Sequence, residues 1–202
     1  MTSSYKTLKS SAEGVYKEKG SKFIAIAQPI DSIEHFEHQL QLIKKKYHDA
    51  RHHCYAYILG EGGDQFRAND DGEPNHSAGD PILGQIRSLE LTNTMVVVVR
   101  YFGGTKLGVS GLINAYKTSA KEALSNAGVI KVNITIPLKL VYPYVSTNEA
   151  MKALDHFGVQ INKQLFETDC QIEGKISPDK LEEFKNKITL LNNLGVKIDL
   201  FI

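Results

Sequence analysis

Cysteine is scarce in this 202-residue chain: Cys54 and Cys170 are the only two, far apart and outside any Cys-x-x-Cys spacing. That excludes a disulfide-stapled scaffold and fits a reducing compartment. Net charge is almost absent too, since 24 lysines and arginines against 23 acids leave +1. Such a chain does not coat nucleic acid through overall basicity, although a local basic patch stays open. No stretch approaches the ~20 apolar residues of a membrane span, and the opening residues lack the apolar segment of a signal peptide. Low-complexity segments and clear repeats are missing as well. These absences predict a soluble, cytoplasmic protein with no membrane contact. What is there, 42% hydrophobic residues, suffices for one large domain or two small ones.

Hydrophobic periodicity divides the chain in two. "EGVYKEKGSKFIAIAQPI" reads as a hairpin turned at Lys19-Gly20. Ile33, Phe36, Leu40, Ile43 and Tyr47 then follow a three-four spacing, the apolar face of a helix. Asp31 is the expected cap, with Glu34 in a capping-box relation. Strands are expected at "HHCYAYILG" and "DQFRAN", and Pro81 starts a short helix after the polar loop "NDDGEPNHSAGDP". "TNTMVVVVRYFGG" shows no alternation, which suits a strand buried on both faces. The helix "SGLINAYKTSAKEALSNAG" follows and Gly128 ends it. From about Lys131 onward, an alternating strand leads to a helix with Ser146 and Glu149 as capping box. Two more strands, a helix capped by Ser177 and started by Pro178, and a last strand complete the order βαββαβ. That is the ferredoxin-like split βαβ pattern. An α+β protein is predicted, with domains at 1–131 and 132–202.

Two loops carry the chemistry. "FGGTKLGVSG" joins the buried strand to the long helix. Glycines there let backbone N–H groups approach a ligand, and a helix N-terminus adds free donors and partial positive charge. An anion-binding turn follows, built on Arg100, Gly103, Gly104, Lys106, Ser110 and Gly111, with Lys117 and Lys121 one helical turn apart nearby. No acid occurs from Leu91 to Lys121. The spacing is neither GxxxxGK[ST] nor GxGxxG, so the alternative is a tight turn with solvated lysines.

Between Glu61 and Asp80 the balance reverses, with Glu61, Asp64, Asp70, Asp71, Glu73 and Asp80 against Arg67 alone. His76 lies in the same turn, while "RHHC" adds His52, His53 and Cys54. Carboxylates suit Mg²⁺, and imidazole with thiolate suits Zn²⁺, yet no standard zinc spacing occurs, and alternation places His52 and Cys54 on one side of a strand and His53 on the other. The competing expectation is structural: a carboxylate turn that caps N–H groups or pairs with Arg51 or Arg100. Cys54, Ser77 and Ser110 are the candidate nucleophiles. No GxSxG element supports them, and a cysteine within a buried strand is inert. No metal and no cofactor is assigned.

Three blocks, "ARHHCYAYILG", "DDGEPNHSAGDPIL" and "VVVVRYFGGTKLGVSGLINAY", resemble the YigZ/IMPACT family in order and spacing, and the likeness extends over nearly the whole chain. It implies an N-terminal domain with the ribosomal protein S5 domain 2-like fold and a ferredoxin-like C-terminal domain similar to those of elongation factor G. It also implies a functional surface of His52, His53, Asp70, Asp71, Glu73, Arg100, Gly103, Gly104, Lys106 and Gly111. Eukaryotic members of the family regulate translation. This chain departs where His76-Ser77 replaces the usual Gly-Thr, where Val109-Ser110 replaces Thr-Gly, and where Asn114 replaces a common basic residue. The expected function is non-catalytic: a regulator that binds ribosome, RNA or a translation factor through the glycine loop. The alternatives are an enzyme acting on a small-molecule phosphate, with the acidic turn as metal or base site, and a protein-interaction module.

Overall fold

The computed structural model describes residues 3–202, which pack as two compact units, Tyr5–Val132 and Asn133–Ile202 with Ser3 and Ser4. Together they make a mixed α+β protein. In the first unit β1 (Ser4–Leu8) is followed by β2 (Ala12–Glu18), β3 (Ser21–Pro29), α1 (Ile33–Lys46), β4 (His52–Leu59) and β5 (Gln65–Asn69). Then come α2 (Gly79–Ser88), β6 (Thr94–Tyr101), α3 (Gly108–Ala127) and β7 (Val129–Asn133).

Five strands form one antiparallel sheet in the order β2-β3-β6-β4-β5. The β-branched run Val96–Val99 puts β6 at its centre, where both faces are fully buried. The alternation of a strand sorts side chains between two cores. Phe23, Ala25, Cys54, Ala56, Val96 and Val98 pack under α2 and α3. Ile24, Ile26, Tyr55, Tyr57, Val97 and Val99 pack under α1. The β2–β3 hairpin turns at Lys19 and Gly20, both with positive φ (45° and 78°), the turn whose twist matches that of the strands. Helix α1 buries Phe36, Leu40 and Ile43. Its cap is Ser32, whose side chain accepts from the His35 N–H. Asp31, expected in that place, sits one residue too early and binds the His35 ring instead. The strands β1 and β7, which the pattern did not announce, pair into a separate two-stranded sheet.

The second unit runs β8 (Ile136–Tyr142), α4 (Thr147–Phe157), β9 (Gln160–Phe166), β10 (Cys170–Ile176), α5 (Leu181–Asn193) and β11 (Asp199–Phe201). Its antiparallel sheet has the order β11-β8-β10-β9. Leu140, Ile172, Leu154 and Phe184 are fully inside its core. Neither expected serine cap forms. Ser146 has helical dihedrals at the end of a 3₁₀ turn and no capping hydrogen bond, because the chain enters α4 already coiled. The Ser177 hydroxyl donates to Asp179 rather than accepting a backbone N–H. Among the described residues no helix is long and apolar enough to cross a membrane.

Candidate functional site

At one end of the five-stranded sheet β4 begins and β6 finishes, with His52 paired to Arg100 across the ladder. Three segments converge there: the loop before β4, the acidic turn after β5, and the glycine loop between β6 and α3. They enclose a cleft of about 690 Å³. Its cations are Arg51, Arg100 and Lys106, its acids Asp49 and Glu73, and much of the remaining wall is apolar.

The acidic turn is held by its own carboxylates. One Asp70 oxygen accepts from the N–H groups of Ala78 (3.0 Å) and Gly79 (2.8 Å), and the other from His76 (2.9 Å). These are orphan donors at the start of α2, whose own capping residue, Ala78, has no polar side chain. Asp71 accepts from the His53 N–H at 2.7 Å, and its carbonyl accepts from the His52 ring at 2.8 Å. Glu73, buried, accepts from Arg100 Nη1 at 2.6 Å and from the Tyr116 hydroxyl at 2.8 Å. The three carboxylates therefore serve the turn and the ion pair. Among the described residues no group of three His, Cys, Asp or Glu side chains is arranged to hold a metal ion. The Cys54 thiol reaches the Asp70 carbonyl (2.9 Å) and the Tyr116 hydroxyl (3.3 Å). Burial pushes its pKa well up, the opposite of what a nucleophilic thiolate needs.

The glycine loop has two kinds of glycine. A Cβ on Gly103 would lie 1.9 Å from the Gly20 carbonyl carbon and 2.1 Å from the Ser21 nitrogen. Gly103 thus lets two backbones touch, and its N–H already donates to the Ser21 hydroxyl (3.1 Å); it is not an anion donor. Gly104 has φ 88° and open space around it, as a loop that presents backbone to a ligand requires. Helix α3 follows with Leu107 as an N-cap that makes no side-chain hydrogen bond, and with no acid in its first turn. Its first N–H groups lack intrahelical partners, and Gly108 and Val109 line the cleft. Twenty residues of helix stand behind that partial positive charge.

Arg100 forms the floor. Its side chain is 8% exposed, its Nε is buried without a partner, and its Cζ lies 5.7 Å from the Phe102 ring centroid. Beside it the Tyr101 hydroxyl donates to Asp49 at 2.7 Å. That bond raises the tyrosine pKa to about 12 and holds the Asp49 carboxyl below its usual range.

The structure brings together only part of the expected surface. His52, Glu73, Arg100 and Lys106 line the cleft. His53 points to the opposite face, where its ring nitrogen meets the Tyr47 carbonyl (3.1 Å) and burial lowers its pKa. His76 is outside, paired with Asp80 at 2.6 Å, a contact that raises its pKa. Its φ of 63° is left-handed, which explains why glycine suits that position. Gly111 lies inside the first turn of α3, against Leu107. Ser110 and Lys117 are exposed on α3 and do not line the cleft. Arg51 and Phe102 stand inside the motif blocks and Asp49 just before one, yet none is among the expected binding residues; the pairing of β4 with β6 brings all three to one cleft.

The fold and cleft define an α+β protein with a cationic, partly apolar cleft at one end of an antiparallel sheet. The Impact N-terminal domain family matches residues 19–124. The chain is 40% identical over 193 residues to the IMPACT family member YvyE of Bacillus subtilis (strain 168), covering 96% of this chain and 89% of that protein. It is 33% identical over 174 residues to an IMPACT family member of Haemophilus influenzae, covering 85% and 84%. A protein IMPACT homolog of Saccharomyces cerevisiae matches at 33% over 116 residues, which span 55% of this chain and 44% of that one. A crystal structure described as a hypothetical protein superimposes over 100% of this chain and 98% of its own, with TM-score 0.69 and 25% identity. The chain belongs to the IMPACT family.

Proposed function

We propose that this protein is a non-catalytic, translation-associated regulator whose cleft grips a phosphate of RNA, on or off the ribosome. One observation carries the reading: the uncapped N-terminus of α3 opens beside Lys106 and Arg51 in a cleft whose two acids are already engaged. Glu73 neutralises Arg100, and the ionised Asp49 is tied to the Tyr101 hydroxyl, so Arg51, Lys106 and the free N–H groups of α3 outweigh the one remaining carboxylate for an incoming anion. An enzyme would need a free base, metal ligand or nucleophile. Asp70, Asp71 and Glu73 are engaged and Cys54 is buried, which favours binding over catalysis. The relatives' shared IMPACT name is in keeping with translation, as are the finer fold assignments we propose here: a ribosomal protein S5 domain 2-like unit up to residue 131, and a ferredoxin-like unit from 132 onward. The latter rests on the sheet order β11-β8-β10-β9. A cytoplasmic setting belongs to the same proposal.

The test is co-sedimentation with ribosomes at 50 and 200 mM salt, comparing the native chain with an Arg51→Ala/Lys106→Ala variant. Both side chains are exposed, so the variant keeps its fold. Salt-sensitive pelleting that the variant loses supports the proposal, because phosphate contacts release counterions. Equal pelleting of both proteins, or of neither, refutes it.

A further inference from the structure

We infer that the cleft takes a single unstacked nucleotide of an RNA strand, with its phosphate on the α3 N-terminus and its base against Phe102. The inference rests on the reading above and narrows it to one kind of ligand. A phosphate site alone would need only the helix start and Lys106. Two further features point to more. Arg100 is an almost fully buried cation with a nitrogen, Nε, that has no partner, and it lines the same cleft. Phe102, next to it, is 57% exposed although large and apolar, and Val109 across the glycine loop is also exposed. Exposed phenylalanine is not unusual in this chain, but of Phe66, Phe102, Phe166 and Phe201 it is Phe102 that lines this cleft, beside a buried cation.

The arrangement has a sequence in space. Arg100 lies beneath the Phe102 ring at 5.7 Å, a cation–π contact that holds the aromatic in place. The outer side of that ring is free for a second flat group. Lys106 and the first N–H groups of α3 sit four to eight residues farther along the same loop. A ring platform beside a phosphate cradle is the chemistry that recognises a nucleotide. The volume, about 690 Å³, falls within the roughly 300–1,000 Å³ typical of sites that enclose a small ligand. A duplex cannot use it: the faces of its bases are stacked inside, and only backbone and base edges reach its surface. A free mononucleotide and one nucleotide within a strand share this chemistry, and the inference commits to the strand, since Arg51, a second exposed cation of the same cleft, can take a neighbouring phosphate.

Fluorescence anisotropy with a labelled ten-nucleotide single-stranded RNA and its duplex tests this, at 50 and 200 mM salt, with adenosine monophosphate as competitor. The proteins are the native chain and the variants Phe102→Ala, Phe102→Tyr and Lys106→Ala. The expected result is single strand preferred over duplex by at least tenfold. Phe102→Ala should weaken it roughly 5- to 100-fold with the salt slope unchanged, since stacking is not a counterion effect. Phe102→Tyr should bind as the native chain does. Lys106→Ala should weaken binding and lower the salt slope by about one. Equal affinity for strand and duplex, or an unaffected Phe102→Ala variant, overturns the inference while leaving phosphate binding intact. Binding of the mononucleotide as tight as that of the strand also overturns it. If no RNA binds, the inference fails, and ribosome pelleting then decides separately whether the broader reading stands.

Discussion

Replacing Glu73 by glutamine removes one charge from a buried pair and little else. Glutamine has nearly the same volume, so no cavity opens, and its carbonyl can still accept from Tyr116. What remains is Arg100, 8% exposed, facing a neutral partner in place of a carboxylate that is 4% exposed and 2.6 Å away. Leaving one ion of such a pair uncompensated costs about 3–5 kcal/mol. Against a typical total stability of roughly 5–15 kcal/mol, that is a large fraction. With a urea dependence of about 2 kcal/mol per molar, the midpoint falls by about 1.5–2.5 M. The assay is urea unfolding of the full chain at pH 7.5, with hydrogen exchange of the Val96–Val99 amides identifying the transition of residues 5–132, because two units need not unfold together. The double variant Glu73→Leu/Arg100→Met should be less destabilised than Glu73→Gln, since an apolar pair leaves no charge unpaired. A Glu73→Gln midpoint within 0.5 M of native (about 1 kcal/mol), or a double variant worse than the single one, refutes the account of the cleft floor.

Two further perturbations separate the roles of neighbouring residues. Gly103→Ala forces a methyl group into the Gly20–Ser21 backbone at 1.9–2.4 Å and should cost about 3 kcal/mol or more, whereas Gly104→Ala meets no atom and should cost only the ~1–2 kcal/mol of a left-handed residue; thermal unfolding of both variants checks the order. His53 tests the acid side. Burial lowers its folded pKa, so as pH falls below the unfolded value near 6.5 the unfolded chain takes up the proton first. Its contribution is therefore fully present above about 6.5 and is lost as pH falls toward the folded pKa. His53→Gln should flatten the decline in urea midpoint between pH 7.5 and 5.5; an unchanged decline would show that other groups govern it.

Much of the fold was legible because periodicity is a direct imprint of burial. The run Val96–Val99 carries no alternation since β6 is covered on both sides, and the three-four spacing of Phe36, Leu40 and Ile43 is the buried side of α1. The alternation of His52, His53 and Cys54 likewise separated the α3 face from the α1 face. Caps were less legible. Asp31 stands one residue early, Ser146 is already helical, and Ser177 has the extended dihedrals of a cap but directs its hydroxyl to Asp179, so a cap depends on local geometry and competing partners as well as on residue type. The short strands β1 and β7 stabilise each other only as a pair, so neither shows in its own five residues.

For the cleft, the ingredients are readable in the order of residues: an acidic turn, a glycine loop with Lys106, and a long helix behind it without a first-turn acid. Which of them face one another is settled by the assembled fold. Asp70 turned out to cap α2, Glu73 to hold Arg100, and Gly103 to serve a backbone contact with the β2–β3 turn rather than a ligand. It also placed Asp49 and Arg51, from the loop before β4, and Phe102, from the loop after β6, around one space. A side chain's partner is chosen by long-range pairing, here of β4 with β6. A carboxylate written in a sequence looks the same whether it meets a metal, an N–H group or a guanidinium.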